Sequence, residues 1–394
     1  MSSHERKQMK RRSFLVGAGS LTLSGLISGC DRNSGTALKV RLLKDSIPAQ
    51  ILDEFRQGLE QSARLDFVAE AQLLDLFTRL QSMQKKSTDR GMRSPLLPFG
   101  GQQTKAIADL VTLGDYWLAA AIRQGLIQPL NPKQLKAWQQ LPQEWQQLVR
   151  RNDTGQPDPN GKIWGAPYRW GSTAIAYRRD KLNSNDLKPP TDWSDLWRED
   201  FKGRISLLEQ PREVIGLTLK KLGLSYNTPN LDKVPKLKEN LRALNRQVKF
   251  YSSNAYQQPL ILGDTWLAVG WSTDLLPLAR RYRQIELVVP QSGTALWADL
   301  WVRPKNENSP DTPPLVQQWI DFCWRPDIAS QLSRFTQAVS PILVSMKPDQ
   351  IPDSLKNNRV LLPHQDIIKR SEFLLPLAPE SVKQYQSLWA ENIR

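Results

Sequence analysis

Apolar residues recur along the chain with two periods, and these divide it into strands and helices. "ALKVRLL" (37–43) and "ARLDFVAEA" (63–71) read as strands. "PAQILDEFRQGLEQ" (48–61) and "LLDLFTRLQSM" (73–83) read as helices, the first with Ile51, Leu52, Phe55 and Leu59 on one face. Residues 84–104 are polar and aperiodic and read as a surface loop. Then come a strand, a turn at Gly114-Asp115 and a helix stopped by Gly125. "GKIWGAPYRWGSTAIAYRRDKL" (161–182) reads as a strand pair with a turn, and "DWSDLWREDFKGRISLL" (192–208) as a capped helix followed by a strand. Further helices and strands alternate to Pro304, and the remainder is mostly helical. Such alternation implies an α/β architecture with largely parallel sheets. Ligands of such sheets bind beyond the carboxyl ends of strands. Asp45, Gly114-Asp115, Glu213, Asp274 and Asp299 all fall at or near strand ends.

One strand breaks its own pattern. "ALWADLWVRP" (295–304) is apolar apart from Asp299, which lies between Trp297 and Trp301. A carboxylate in an apolar strand is costly unless something positive or hydrogen-bonding meets it.

Composition narrows the function. The chain has 394 residues and a formal charge of +15. The charge is scattered and accompanies no helix-turn-helix, zinc-finger or RNA-binding signature, so a solvated basic surface is expected and no nucleic acid. There are two histidines, and His4 lies in the leader, so histidine-based metal sites and Ser-His-Asp catalysis would rest on His364 alone. No phosphate-binding glycine loop is present. No metal, cofactor or enzymatic activity is expected. Trp138, Trp145 and Trp319 lie in helical patterns and read as packing residues, and Cys323 as a buried apolar one.

Residues 1–30 read as an address. Lys10, Arg11 and Arg12 precede a short, glycine-containing apolar stretch unlike a membrane span. "RRSFL" resembles the twin-arginine export signal, and "LISGC" resembles the lipobox of bacterial lipoproteins, in which the cysteine, here Cys30, is lipidated. The expected place is extracytoplasmic, anchored to the membrane through Cys30, with residues 31–37 as a linker.

Six blocks, in order from about residue 38 to 345, resemble the spermidine/putrescine-binding proteins of ABC importers. They include "ADLVTLGDYW", "APYRWGSTAIAYRRD", "DWSDLWREDFKGRISLLEQPREV", "GDTWLAVGWSTDL" and "ALWADLWVRP". The resemblance implies a type II periplasmic binding protein, with two α/β lobes around a ligand cleft. Its lobes would be 38–169 plus 300–340, and 170–299 plus 341–394, with crossing strands near 167–172 and 297–304. It implies a monomer that passes a polyamine to an inner-membrane permease. It places Asp45, Tyr116, Glu213, Trp271, Asp274, Trp297 and Asp299 at the ligand, with Asp299 meeting an ammonium group. Carboxylates at the ammonium groups and aromatic faces along the methylenes suit a flexible polycation.

Taken alone, Glu213 is a helix N-terminal acid, Trp271 a core residue and Asp274 a cap for the following helix. The chain also departs from the family. Its N-terminal loop reads "LLKDSIP", Gln210 stands where an acid is expected, and Ala338 replaces a tyrosine. These departures leave room for a different amine, an opine, an anion if Lys44, Arg169 or Arg212 faces the cleft, or a scaffold without ligand.

Overall fold

A computed structural model describes residues 37–90, with only the backbone for 85–90, together with 108–306, 309 and 311–393. The expected leader, Cys30 and most of the linker lie outside the described residues, as does much of the expected 84–104 loop. Within that loop, residues up to Arg90 continue the helix Leu73–Arg90.

The main sheet runs in the order Arg64–Glu70, Ala37–Leu43, Leu110–Gly114, Ala295–Pro304, Ala166–Arg178, Leu267–Trp271, Ile205–Leu207 and Val248–Tyr251. Pairing is parallel toward both ends. The middle is antiparallel: Ala295–Pro304 pairs that way with Leu110–Gly114 and with Ala166–Arg178, which pairs likewise with Leu267–Trp271. The sheet is therefore mixed rather than largely parallel, because two long strands cross its centre.

All thirteen residues of Ala166–Arg178 are buried, and so are all but Trp297 of Ala295–Pro304. Ala166–Arg178 is continuous where a strand pair with a turn was expected. Gly171 does not turn the chain; its missing side chain makes room. A Cβ there would overlap the Trp297 ring and stand 2.6 Å from Ser272 Oγ. Gly171→Ala is expected to cost about 1–3 kcal/mol by overpacking and to displace Trp297, read as a lower melting temperature and altered tryptophan emission.

The core changes identity along both crossing strands. Ala166, Tyr168 and Trp170 pack into a cluster with Leu38, Leu110 and Trp319, whereas Ile175 and Tyr177 join Trp193, Phe201 and Ile215. Leu296, Ala298, Leu300, Trp301 and Val302 belong to the first cluster and Ala295 to the second. Tyr168 stacks on Trp301 with ring centroids 4.2 Å apart, which locks the two strands together inside the first core. The C-terminal stretch 341–394, expected wholly in the second lobe, divides. Ile342, Leu355, Ile368 and Phe373 pack with the first cluster, and Tyr385, Leu388 and Trp389 with the second. Ile342, Leu355 and Ile368 fall on short helices and Phe373 on a two-residue strand, whereas Tyr385, Leu388 and Trp389 share the longer helix Pro379–Asn392.

Trp138, Trp145, Trp319 and Cys323 are buried as expected. The expected capped helix at Asp192 is a short 3-10 turn, Trp193–Trp197, closed by a reciprocal Asp192–Asp195 capping box.

Candidate functional site

Asp299 meets an arginine. Asp299 and Arg169 are register partners on the two crossing strands, where the pairing shifts between Asp299 and Leu300. Arg169 Nε donates to Asp299 Oδ2 at 2.6 Å, and both side chains are buried. Burial pushes the Asp299 carboxyl above its ordinary range, and Arg169 pulls it back in part. A ligand ammonium is the partner expected for this acid from the sequence; here the protein supplies a cation of its own, the Arg169 guanidinium.

The pair faces a cavity of about 370 Å³ lined from both halves of the sheet and by the crossing strands. Tyr116, Glu213, Trp271, Trp297 and Asp299, all expected at the site, converge there. Each comes from a strand or the first turn of a helix, and at helix starts backbone N–H groups and the helix dipole favour an acid. Glu213 sits in the first turn of Pro211–Lys221. Thr173 Oγ1 donates to its Oε1 at 3.0 Å, while Oε2 is buried without a hydrogen-bond partner. Burial pushes the Glu213 carboxyl up to about 7, against the pull of Thr173 and Arg212.

Asp115 is the acid that sequence reasoning did not place at the ligand. It opens the helix Asp115–Arg123 directly after the strand Leu110–Gly114 and lines the cavity. Ala298 N–H donates to its Oδ1 at 3.1 Å. Burial pushes its carboxyl up to about 7, Asp299 adds to the rise, and Arg151 opposes it. The strand-end position of Gly114-Asp115 was the available signal. The resemblance drew attention instead to Tyr116, which is 64 % exposed at the rim. Trp117 also lines the cavity, stacked on Phe77 with centroids 4.6 Å apart.

Two expected residues are elsewhere. Asp45 is exposed, has φ +60°, and lies beside a separate shallow pocket with Ile47, Pro48 and Phe335. The chain turns after Leu43, with Ser46 N–H bonded to Leu43 O at 3.1 Å. That turn leaves Leu43 at the cavity and Asp45 out of it. Asp274 accepts the Tyr256 hydroxyl at 2.7 Å, and helical rotation leaves its neighbour Thr273 on the cavity wall instead.

Of the three cations considered, Arg169 and Arg212 line the cavity and Lys44 does not. Arg212 binds Asn227 Oδ1 at 3.0 Å and lies over the Tyr385 ring, and its Nε and Nη1 are buried without hydrogen-bond partners. Among the described residues, no group of three or more His, Cys, Asp or Glu residues is arranged to hold a metal ion. No helix among them is long and apolar enough to cross a membrane.

Comparison with known proteins agrees with this frame. Residues 105–371 match the model of a family described as bacterial extracellular solute-binding protein. The spermidine/putrescine-binding periplasmic protein of Escherichia coli K12 is 27% identical over 266 residues, covering 67% of this chain and 72% of that protein. A putrescine/cadaverine-binding protein of Pseudomonas aeruginosa is 28% identical over 248 residues, covering 59% of this chain and 66% of that protein. Among solved structures, the spermidine/putrescine transporter substrate-binding protein PotD of Streptococcus pneumoniae superposes with a TM-score of 0.72. It is 19% identical, and the match covers 90% of this chain and 98% of that one. The fold is that of the type II periplasmic binding proteins.

Proposed function

This chain belongs to the bacterial extracellular solute-binding proteins, and we propose that it captures a short polyamine in the Asp115–Glu213 cavity for delivery to an ABC permease. The observation that carries this reading is a pair of carboxylates, the buried Glu213 and the half-buried Asp115, neither in a salt bridge among the described residues, facing one cavity walled by Trp271 and Trp297. Buried acids without a partner cation are costly, and a ligand ammonium removes that cost. The indole faces add cation–π attraction of about 0.5–2 kcal/mol per contact. The names of the relatives point the same way: they are binding proteins for putrescine, cadaverine or spermidine. The role is binding, with no bond made or broken.

Cavity walls come from both halves of the sheet, so a ligand that touches both favours their closure. The two halves are proposed to act as lobes around the crossing strands. The leader supports export and acylation at Cys30, placing the domain outside the cytoplasm beside its permease.

A second reading rests on Arg212. Its two buried, unpartnered nitrogens favour a ligand that also carries a carboxylate. Tryptophan emission of the full chain, titrated with putrescine, spermidine and a γ-amino acid, separates the two. A saturable response to putrescine at micromolar concentration, lost in Trp271→Ala, is expected. A response to the amino acid alone would replace the polyamine with an amphoteric ligand.

A further inference from the structure

The cavity has three carboxylates along its walls, Asp115, Glu213 and Asp299, but they are not equivalent. Asp299 is 1% exposed and held at 2.6 Å by a guanidinium from the neighbouring strand. Asp115 is held by a backbone N–H and Glu213 by a hydroxyl; among the described residues neither is in a salt bridge, and Arg151 and Arg212 act on them only through space. Resting on the amine reading of this site, we infer that Arg169 is a resident cation that consumes Asp299, so that the cleft takes a diamine and discriminates against a triamine.

The argument is one of matching. An ammonium drawn out of water needs a counter-charge and acceptors, because burying it without them costs more than an apolar contact returns. Two free acids match two ammonium groups. The third ammonium of a longer polyamine would find only an acid already paired, with the Arg169 guanidinium beside it. It would meet a like charge where it needs an opposite one. Arg212, also on the wall, adds to that opposition. Arg169 is fixed by its backbone: it projects from a fully buried strand and faces Asp299 in register, so it does not swing away as a surface arginine would.

The test is calorimetric titration of the full chain with 1,4-diaminobutane and with spermidine, for the wild type, Arg169→Lys and Arg169→Gln. The diamine is expected to bind the wild type at least tenfold more tightly than spermidine. Arg169→Gln, which removes the charge but leaves an amide donor for Asp299, is expected to shift that ratio at least tenfold toward spermidine. Arg169→Lys is expected to keep the wild-type preference. A merely structural role for Arg169 would weaken both ligands together and leave their ratio unchanged. Equal or tighter spermidine binding by the wild type overturns the inference, as does an unchanged ratio in a folded Arg169→Gln. The wild-type ratio decides even where the variant fails to fold. Binding of both amines without preference overturns this inference alone; binding of neither overturns the amine reading beneath it.

Discussion

Asn in place of Asp115 is expected to stabilise the empty protein and to weaken diamine binding by about 10- to 100-fold. The two effects have one cause. Asp115 is half-buried, and loss of water around it pushes its carboxyl up to about 7 from 3.8. At pH 8 the folded protein therefore holds a charge that the unfolded chain would hold more easily in water. Each tenfold change in a group's acidity corresponds to about 1.4 kcal/mol, so the cost removed by neutralising it is at most about 4 kcal/mol at that pH. Asn keeps the acceptor oxygen for Ala298 N–H, so no hydrogen bond is lost. For the ligand the same change is a loss, since a charge-assisted bond to an ammonium contributes about 1.5–3 kcal/mol. Glu213→Gln should behave alike, with Thr173 still able to donate to the remaining oxygen. Thermal unfolding at pH 8 with and without putrescine, paired with calorimetry, checks both halves. A variant that is less stable and binds as tightly as the wild type would remove Asp115 from the site.

That residue shows where sequence reasoning stops. The order of strands and helices and the places where the chain crosses were legible because strand ends and tryptophan-rich blocks recur in a recognisable order; the unbroken length of Ala166–Arg178 was not. Glu213, Trp271 and Trp297 were legible for the same reason. Asp299 was legible as an anomaly, an acid in an apolar strand, but its partner was not. Arg169 lies 130 residues away, and only the antiparallel register of two strands brings it opposite. Asp45 is the opposite case. Its place beside the first strand suggested the ligand, yet the turn after Leu43 carries it into a left-handed tip outside the cavity. Asp274 fell one position past the cavity wall, because a helix turns its side chains by about 100° per residue. Register, turn handedness and helical phase are three-dimensional facts that a one-dimensional pattern does not contain.

Diamine affinity should rise several hundred-fold between pH 5.5 and 7.5. An alkylammonium stays charged throughout this window, as lysine does with its pKa of about 10.4, so the change lies in the protein. Asp115 and Glu213 are both pushed up to about 7 by burial. Asp299 and Arg151 act on the first, and Arg212 and Asp115 on the second. Below that pH both carry protons that an ammonium must displace, and each costs about a factor of ten per pH unit. The empty protein should show the reverse trend. A carboxyl raised in the folded state binds more protons folded than unfolded between its ordinary value and about 7. Its contribution to stability is therefore full at low pH and lost as pH rises through 7. Unfolding curves of the empty and putrescine-saturated protein should accordingly diverge as pH rises, the bound form gaining what the empty form loses. Binding at pH 7 should release about one proton in all, measurable as a dependence of calorimetric enthalpy on the buffer's own ionisation heat. An affinity flat from pH 5.5 to 7.5 would mean that neither acid meets the ligand's charge. A dependence halved in Asp115→Asn and abolished in the double variant with Glu213→Gln would assign one proton to each.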